Sequence, residues 1–298
     1  MNSRFLFLII LFQAFICSYV WAQNSALNDV LKSFEQIDID HPAIIHFKSA
    51  IVKEPRGGHL QGIQLYKSNK PRTFIITGSS AHFSFYVLAP ENGEASIHKI
   101  ADEPFRHAGG CQLAGGKLFA GLEDNHEKNK SNLVTLQPGD STVKIIAKRK
   151  GAYKRSTAGG TGAVKIKNEY LVAVADWDSR NIDFYRSTNE SFDSVATFSV
   201  PENVSWGAYQ SINLLADTAW QLYLIGFCRE KNKDRADLFS VKNYQLKLLS
   251  SRFFKCVKGC SFRYGAGIQI TENGLELIAS QRRLKKMNVA NVFGVGNY

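Results

Sequence analysis

The amino-acid sequence predicts an all-β chain, a closed ring of five four-stranded repeats behind a short export segment. Three observations predict it. A motif centred on a small residue recurs at Gly62, Gly110, Gly162, Ser211 and Gly267, at spacings of 48, 52, 49 and 56 residues. Each copy is followed by short runs rich in β-branched and aromatic residues, separated by polar turns. The last copy ends one strand short, and a strand-like stretch with no motif of its own lies upstream of the first. A period near fifty residues marks a stacked or radial array, because one such unit cannot bury its apolar faces alone.

The motif reads HLQGIQL at 59–65, HAGGCQL at 107–113, GGTGAVK at 159–165, AYQSINL at 208–214 and YGAGIQI at 264–270. Second strands are expected at 73–77, 118–122, 170–175, 222–227 and 275–279, and third strands at 83–88, 131–136, 182–185, 236–241 and 289–294. Outer strands are expected at 95–100, 143–148, 194–200 and 247–254, and residues 43–52 supply the one missing from the fifth repeat. With that N-terminal strand closing the last blade, no sheet edge stays open. Over residues 43–298 the chain thus resembles the five-bladed β-propeller fold group, a likeness that by itself licenses no activity. Leu27, Val30, Leu31 and Phe34 recur at helical spacing, so the lead segment, residues 23–42, is expected to hold a short cap helix.

Arg4, an apolar run from residue 5 to 11 and the small-residue pattern Val20-Trp21-Ala22 read as a signal peptide over residues 1–22. A secreted or periplasmic protein is expected, with no integral membrane span. The net charge of +11 favours anionic partners and equally suits a soluble surface. Basic runs such as Lys148-Arg149-Lys150 are short, and an exported protein seldom meets nucleic acid, so no nucleic-acid partner is expected. Cys111, Cys228, Cys256 and Cys260 permit two disulfides in an oxidising compartment, or stand as buried thiols.

In such a ring, the loops entering each innermost strand open on the same face as the loops joining second and third strands. His59 and His107 lie three residues before their glycine anchors, in neighbouring blades, and Tyr264 holds the same place in the fifth. With Arg106 these form the candidate catalytic set, the imidazoles as general acid and base. The candidate ligand-binding set on the same face is His82, Glu123, Asp124, Asp176, Trp177, Asp178, Arg229 and Arg263. Asp176 and Asp178 flanking Trp177 suit stacking on a sugar ring with hydrogen bonds to its hydroxyls, and equally suit a tight turn. Five-bladed glycosidases, which this architecture resembles, place acidic residues on several blades, one commonly on an innermost strand. Here those strands carry Gln64, Gln112, Val164, Asn213 and Gln269, which argues against the same arrangement and suggests a ring of structural amides. No cofactor is expected, because Gly159-Gly160-Thr161-Gly162 lacks the Lys-Ser/Thr of a phosphate loop and precedes a strand.

These residues fit a secreted propeller that binds an anionic small molecule or glycan, carbohydrate-like or phosphorylated, at its top face. Lyase or hydrolase chemistry would have His107 or Tyr264 handle the proton and Arg106 or Arg263 neutralise a carboxylate. An alternative is a non-catalytic scaffold docking a protein partner through Trp177 and Trp206. A third is a metal-dependent enzyme using His59, His82 and His107 with His126 or Asp124.

Overall fold

The computed structural model describes residues 27–49, 55–68, 71–91, 93–188, 191–285 and 287–296. The expected export segment lies outside them. The described residues open with helix α1 (Val30–Glu35) and strand β1 (Ala43–Ser49), then wind through four consecutive antiparallel meanders. Blade one holds β2 (His59–Lys67), β3 (Thr73–Ser79), β4 (Phe83–Pro90) and β5 (Glu94–Asp102). Blade two holds β6 (His107–Ala114), β7 (Lys117–Glu123), β8 (Lys130–Leu136) and β9 (Val143–Lys150). Blade three holds β10 (Gly160–Ile166), β11 (Glu169–Ala175), β12 (Asn181–Thr188) and β13 (Ser191–Ser199). Blade four holds β14 (Ser211–Ala216), β15 (Leu222–Glu230), β16 (Lys233–Lys242) and β17 (Gln245–Phe254). The fifth has only β18 (Cys260–Thr271), β19 (Gly274–Gln281) and β20 (Met287–Phe293) from its own end of the chain, and β1 pairs antiparallel with β20, from Ala43 opposite Val292 to Lys48 opposite Met287. The fold is the expected five-bladed β-propeller, closed by its N-terminal strand.

The first three strands of each blade are buried almost continuously, while β9, β13 and β17 alternate with solvent. This follows from radial stacking: inner strands have a blade against both faces, and outer strands splay into water. Among the described residues five apolar clusters lie between successive blades. Phe119, Leu133 and Val174 join blades two and three, for example, and Phe184, Ile212 and Phe239 join three and four. The cluster between blades four and five, with Phe227, Phe254, Phe262 and Phe293, also receives fully buried Val30 and Phe34 of α1. Asp29 starts that helix by accepting a hydrogen bond from Lys32 N at 2.9 Å, an ordinary N-cap.

The glycine anchors repeat because innermost strands meet at the axis. A Cβ on Gly267 would lie 1.7 Å from the Ile63 carbonyl oxygen, and one on Gly62 would lie 2.6 Å from Cys111 N, so no larger residue fits either seam. Below the mouth the amides close the axis. Gln64 donates to Cys111 O at 3.1 Å and Asn213 Oδ1 at 3.3 Å. Gln112 donates to Leu214 O at 2.6 Å and accepts from Leu214 N at 2.7 Å and Ala163 N at 2.8 Å. These bonds tie blades one and two to blade four and satisfy buried backbone groups, as the sequence suggested. Gln269 instead donates to Glu276 on the neighbouring strand.

The disulfide expectation is corrected. Cys111, Cys228, Cys256 and Cys260 are free, and the first, second and last are buried. Burial pushes the Cys111 and Cys260 thiols up to about 12 and that of Cys228 to about 11. Thiols held in apolar interblade seams serve as small hydrophobes.

Candidate functional site

A cavity of about 450 Å³ opens where the inner strands begin, with His59, Gln61, His107, Glu123, Asn125, Trp177, Tyr209, Gln210, Arg263, Tyr264 and Arg282 in its wall. Backbone irregularity puts several of them there. The ladders of β2, β6 and β18 are interrupted between Leu60 and Gly62, Ala108 and Cys111, and Ser261 and Ala266. A bulge re-aims side chains at the end of a strand, and these bulges turn Gln61, Arg263 and Tyr264 toward the mouth.

His107 opens β6 and Glu123 closes β7, and the two face each other across the hairpin. Glu123 is fully buried, its Oε1 3.0 Å from His107 Nδ1. That contact has ion-pair distance without the alignment of a hydrogen bond. Its other oxygen accepts from Ala158 N at 2.8 Å, which fixes the carboxylate from blade three. His107 Nε2 lies 3.2 Å from Gln61 Nε2, a group that only donates. This contact selects the tautomer with the proton on Nδ1, toward Glu123, and the lone pair on Nε2. His59 Nε2 lies 3.4 Å from the same nitrogen. Burial, the neighbouring His107 and the cations Arg282 and Arg283 hold His59 down to about 4, against a helping contact from Gly57, so its ring is neutral at physiological pH.

On blade five, Arg263 and Arg282 bring two guanidinium groups to the wall, and neither pairs with a carboxylate among the described residues. The Arg282 guanidinium lies 5.9 Å from the centre of the Tyr264 ring. Among the described residues Glu123 is the one carboxylate in the wall, so the described wall favours anions. The Tyr209 hydroxyl is committed to Asp237 at 2.6 Å, and burial, then that carboxylate, pushes its ionisation up.

Of the residues singled out from sequence, the cavity brings together His59, His107, Tyr264, Glu123, Trp177 and Arg263. The others turn to local partners. Arg106 donates to Ala81 O at 2.5 Å, and exposed His82 lies 3.4 Å from Glu103. Asp124 lies 3.2 Å from Lys130 and accepts from the amides of His126 and Glu127; burial raises its carboxyl, but these partners hold it below the usual range. Asp176 accepts from Asn181 at 2.6 Å, and burial raises its carboxyl. Asp178 pairs with Lys154 at 3.0 Å, and Arg229 donates to Asn232 O at 3.3 Å. The metal set His59, His82, His107 with His126 or Asp124 is therefore not assembled. Among the described residues no group of three His, Cys, Asp or Glu side chains is arranged to hold a metal ion. The docking alternative loses an anchor, because Trp206 packs against Phe198, Tyr209 and Phe239 and donates to Ser179 O at 2.8 Å.

Sequence reasoning placed Arg282 in a loop on this face but missed Gln61, Asn125, Tyr209 and Gln210 as wall residues. Gln61 carried a signal, sitting two residues after His59 in a motif whose glycine marks the seam. Among the described residues, no helix is long and apolar enough to cross a membrane.

No protein-family model matches the chain, and no curated protein matches its sequence. Solved structures do resemble it. An exo-β-1,3-galactanase from Phanerochaete chrysosporium with galactose superposes with a TM-score of 0.52 at 7% identity, over 84% of this chain and 64% of that one. A GH43 β-1,3-galactosidase with galactodeoxynojirimycin gives 0.50 at 10% identity, over 82% and 92%. A fructofuranosidase from Schwanniomyces occidentalis with fructose gives 0.50 at 10% identity, over 90% and 60%. The chain thus spans less than two thirds of the galactanase and of the fructofuranosidase. At such identities the likeness is one of fold.

Proposed function

We propose that the protein is exported and binds a carboxylate-bearing saccharide in the cavity, removing the proton next to that carboxylate as a polysaccharide lyase does. One juxtaposition carries the reading. Two guanidinium groups that have no carboxylate partner among the described residues share a cavity with an imidazole backed by a buried carboxylate. The kinship in fold with a galactanase and a fructofuranosidase supports a saccharide as the ligand class.

In this scheme Arg263 and Arg282 hold the sugar carboxylate and stabilise the charge that develops there when the neighbouring C–H bond breaks. The proton goes to His107 Nε2, and Glu123 balances the imidazolium that forms. The carbanion's electron pair forms the C=C bond as the glycosidic C–O bond opens, and the Tyr264 hydroxyl protonates the departing oxygen. Hydrolysis by two carboxylates is less well served. It needs acidic groups on both sides of the scissile bond, and among the described residues the wall offers Glu123 alone, buried behind His107.

The test is incubation with polygalacturonate, following the ultraviolet absorbance of unsaturated sugar ends. His107→Asn and Glu123→Gln are expected to lose about 10²–10⁴-fold in rate while keeping their melting temperature. New reducing ends without unsaturation would reassign the chemistry to hydrolysis, and binding without either product would leave a lectin-like site.

A further inference from the structure

The loop between β7 and β8 presents a cation with a position of its own. Lys128 Nζ lies 3.7 Å from the centre of the Trp177 ring, and among the described residues it makes no ion pair. Trp177 is a wall residue of the cavity, and its ring centre lies 6.5 Å from that of His107. The ammonium of this half-buried lysine, on an indole at the edge of an anion-favouring cavity and with no ion-pair partner among the described residues, is available to a ligand.

The backbone beneath this lysine is strained and heavily braced. Lys128 has φ +54° and Lys154 φ +62°, left-handed conformations that side-chain-bearing residues seldom adopt. Lys128 N donates to Asp124 O at 2.8 Å, and Asp124 Oδ1 shapes the turn by accepting from His126 and Glu127. Lys154 N donates to Lys128 O at 2.6 Å, and Trp177 N donates to Lys154 O at 3.3 Å. Three loops are thus laced together so that one strained residue sets its ammonium on one indole. Strain held in place by surrounding bonds is a pointer to function.

Resting on the anionic-saccharide reading, we infer that Lys128 on Trp177 is a second anion subsite, so that the ligand is an oligosaccharide carrying at least two acidic groups. Arg263 and Arg282 belong to blade five, and Lys128 and Trp177 to the loops of blades two and three, across the mouth. One acidic sugar sits at the arginines, beside His107. A following acidic sugar reaches the lysine, with the rim indole beside it.

Calorimetric titration with galacturonate, di- and trigalacturonate and an uncharged galactose trimer tests this in the wild type, Lys128→Gly and Lys128→Arg. Glycine fits the left-handed backbone without strain, so Lys128→Gly removes the cation without disturbing the loop. The wild type is expected to bind trigalacturonate at least tenfold more tightly than galacturonate, beyond any gain for the neutral trimer. In Lys128→Gly that ratio falls toward the neutral one with the melting temperature unchanged or raised, and Lys128→Arg restores it. A ratio that survives in Lys128→Gly, or one near unity in the wild type, overturns the second subsite and leaves the first standing. Absence of binding by every uronide overturns both.

Discussion

The neutral histidine at the cavity mouth makes a measurable demand on stability. His59 titrates near 6.5 in an unfolded chain and is held to about 4 in the fold by burial, His107, Arg282 and Arg283. The unfolded chain therefore binds a proton that the native one refuses between those values, and stability falls as pH drops through that window. At 1.36 kcal/mol per pH unit the full gap is worth about 3 kcal/mol. His59 is only partly buried, so about 2 kcal/mol is the better expectation, of which about 1 kcal/mol should be gone by pH 5. Asp183 does not blur this window. Although burial opposes it, Arg155, Thr197 and Arg149 hold its carboxyl at about 2, so its stabilisation is lost only as pH falls below the ordinary carboxylate value. Urea denaturation of wild type and His59→Gln at pH 7 and pH 5 isolates the effect, since the variant lacks the titrating ring. Equal pH dependence in the two proteins would refute a neutral His59 enforced by its surroundings.

Two further outcomes probe the ring itself. Gly267→Ala should destabilise by about 3 kcal/mol or more, or fail to fold, because the new methyl meets the Ile63 carbonyl where blade five closes on blade one. A thermal melt close to wild type would mean that this seam is looser than the geometry states. The thiols of Cys111, Cys228 and Cys260 should ignore an aromatic disulfide reagent at pH 8 until the protein is denatured, since each is buried with its ionisation pushed well up. Rapid native labelling at any of them would contradict the burial.

The sequence by itself determined the ring. Its period counts blades, its β-branched runs mark strands, and the glycines recur where a side chain would strike a neighbouring backbone, as at Gly62 and Gly267. Burial at interblade seams depends on residue type and period, both visible in one dimension. Part of the site was legible for the same reason: His59, His107 and Tyr264 hold equivalent motif positions, and equivalent positions in a ring converge. Only the tertiary structure decided which loop residues face the cavity. Glu123, the last residue of β7, backs His107 while Asp124 in the following loop turns to Lys130; in the loop after β11 Trp177 faces the mouth while Asp176 and Asp178 take Asn181 and Lys154, because turn geometry rather than strand alternation aims each side chain. Polar loop side chains are also captured by nearby partners, as Arg106 is by Ala81 O, and composition cannot distinguish a captured group from a free one. Lys128 is the extreme case. Nothing in a polar loop of mixed charge distinguishes it until a left-handed backbone, braced from three loops, sets its ammonium on Trp177.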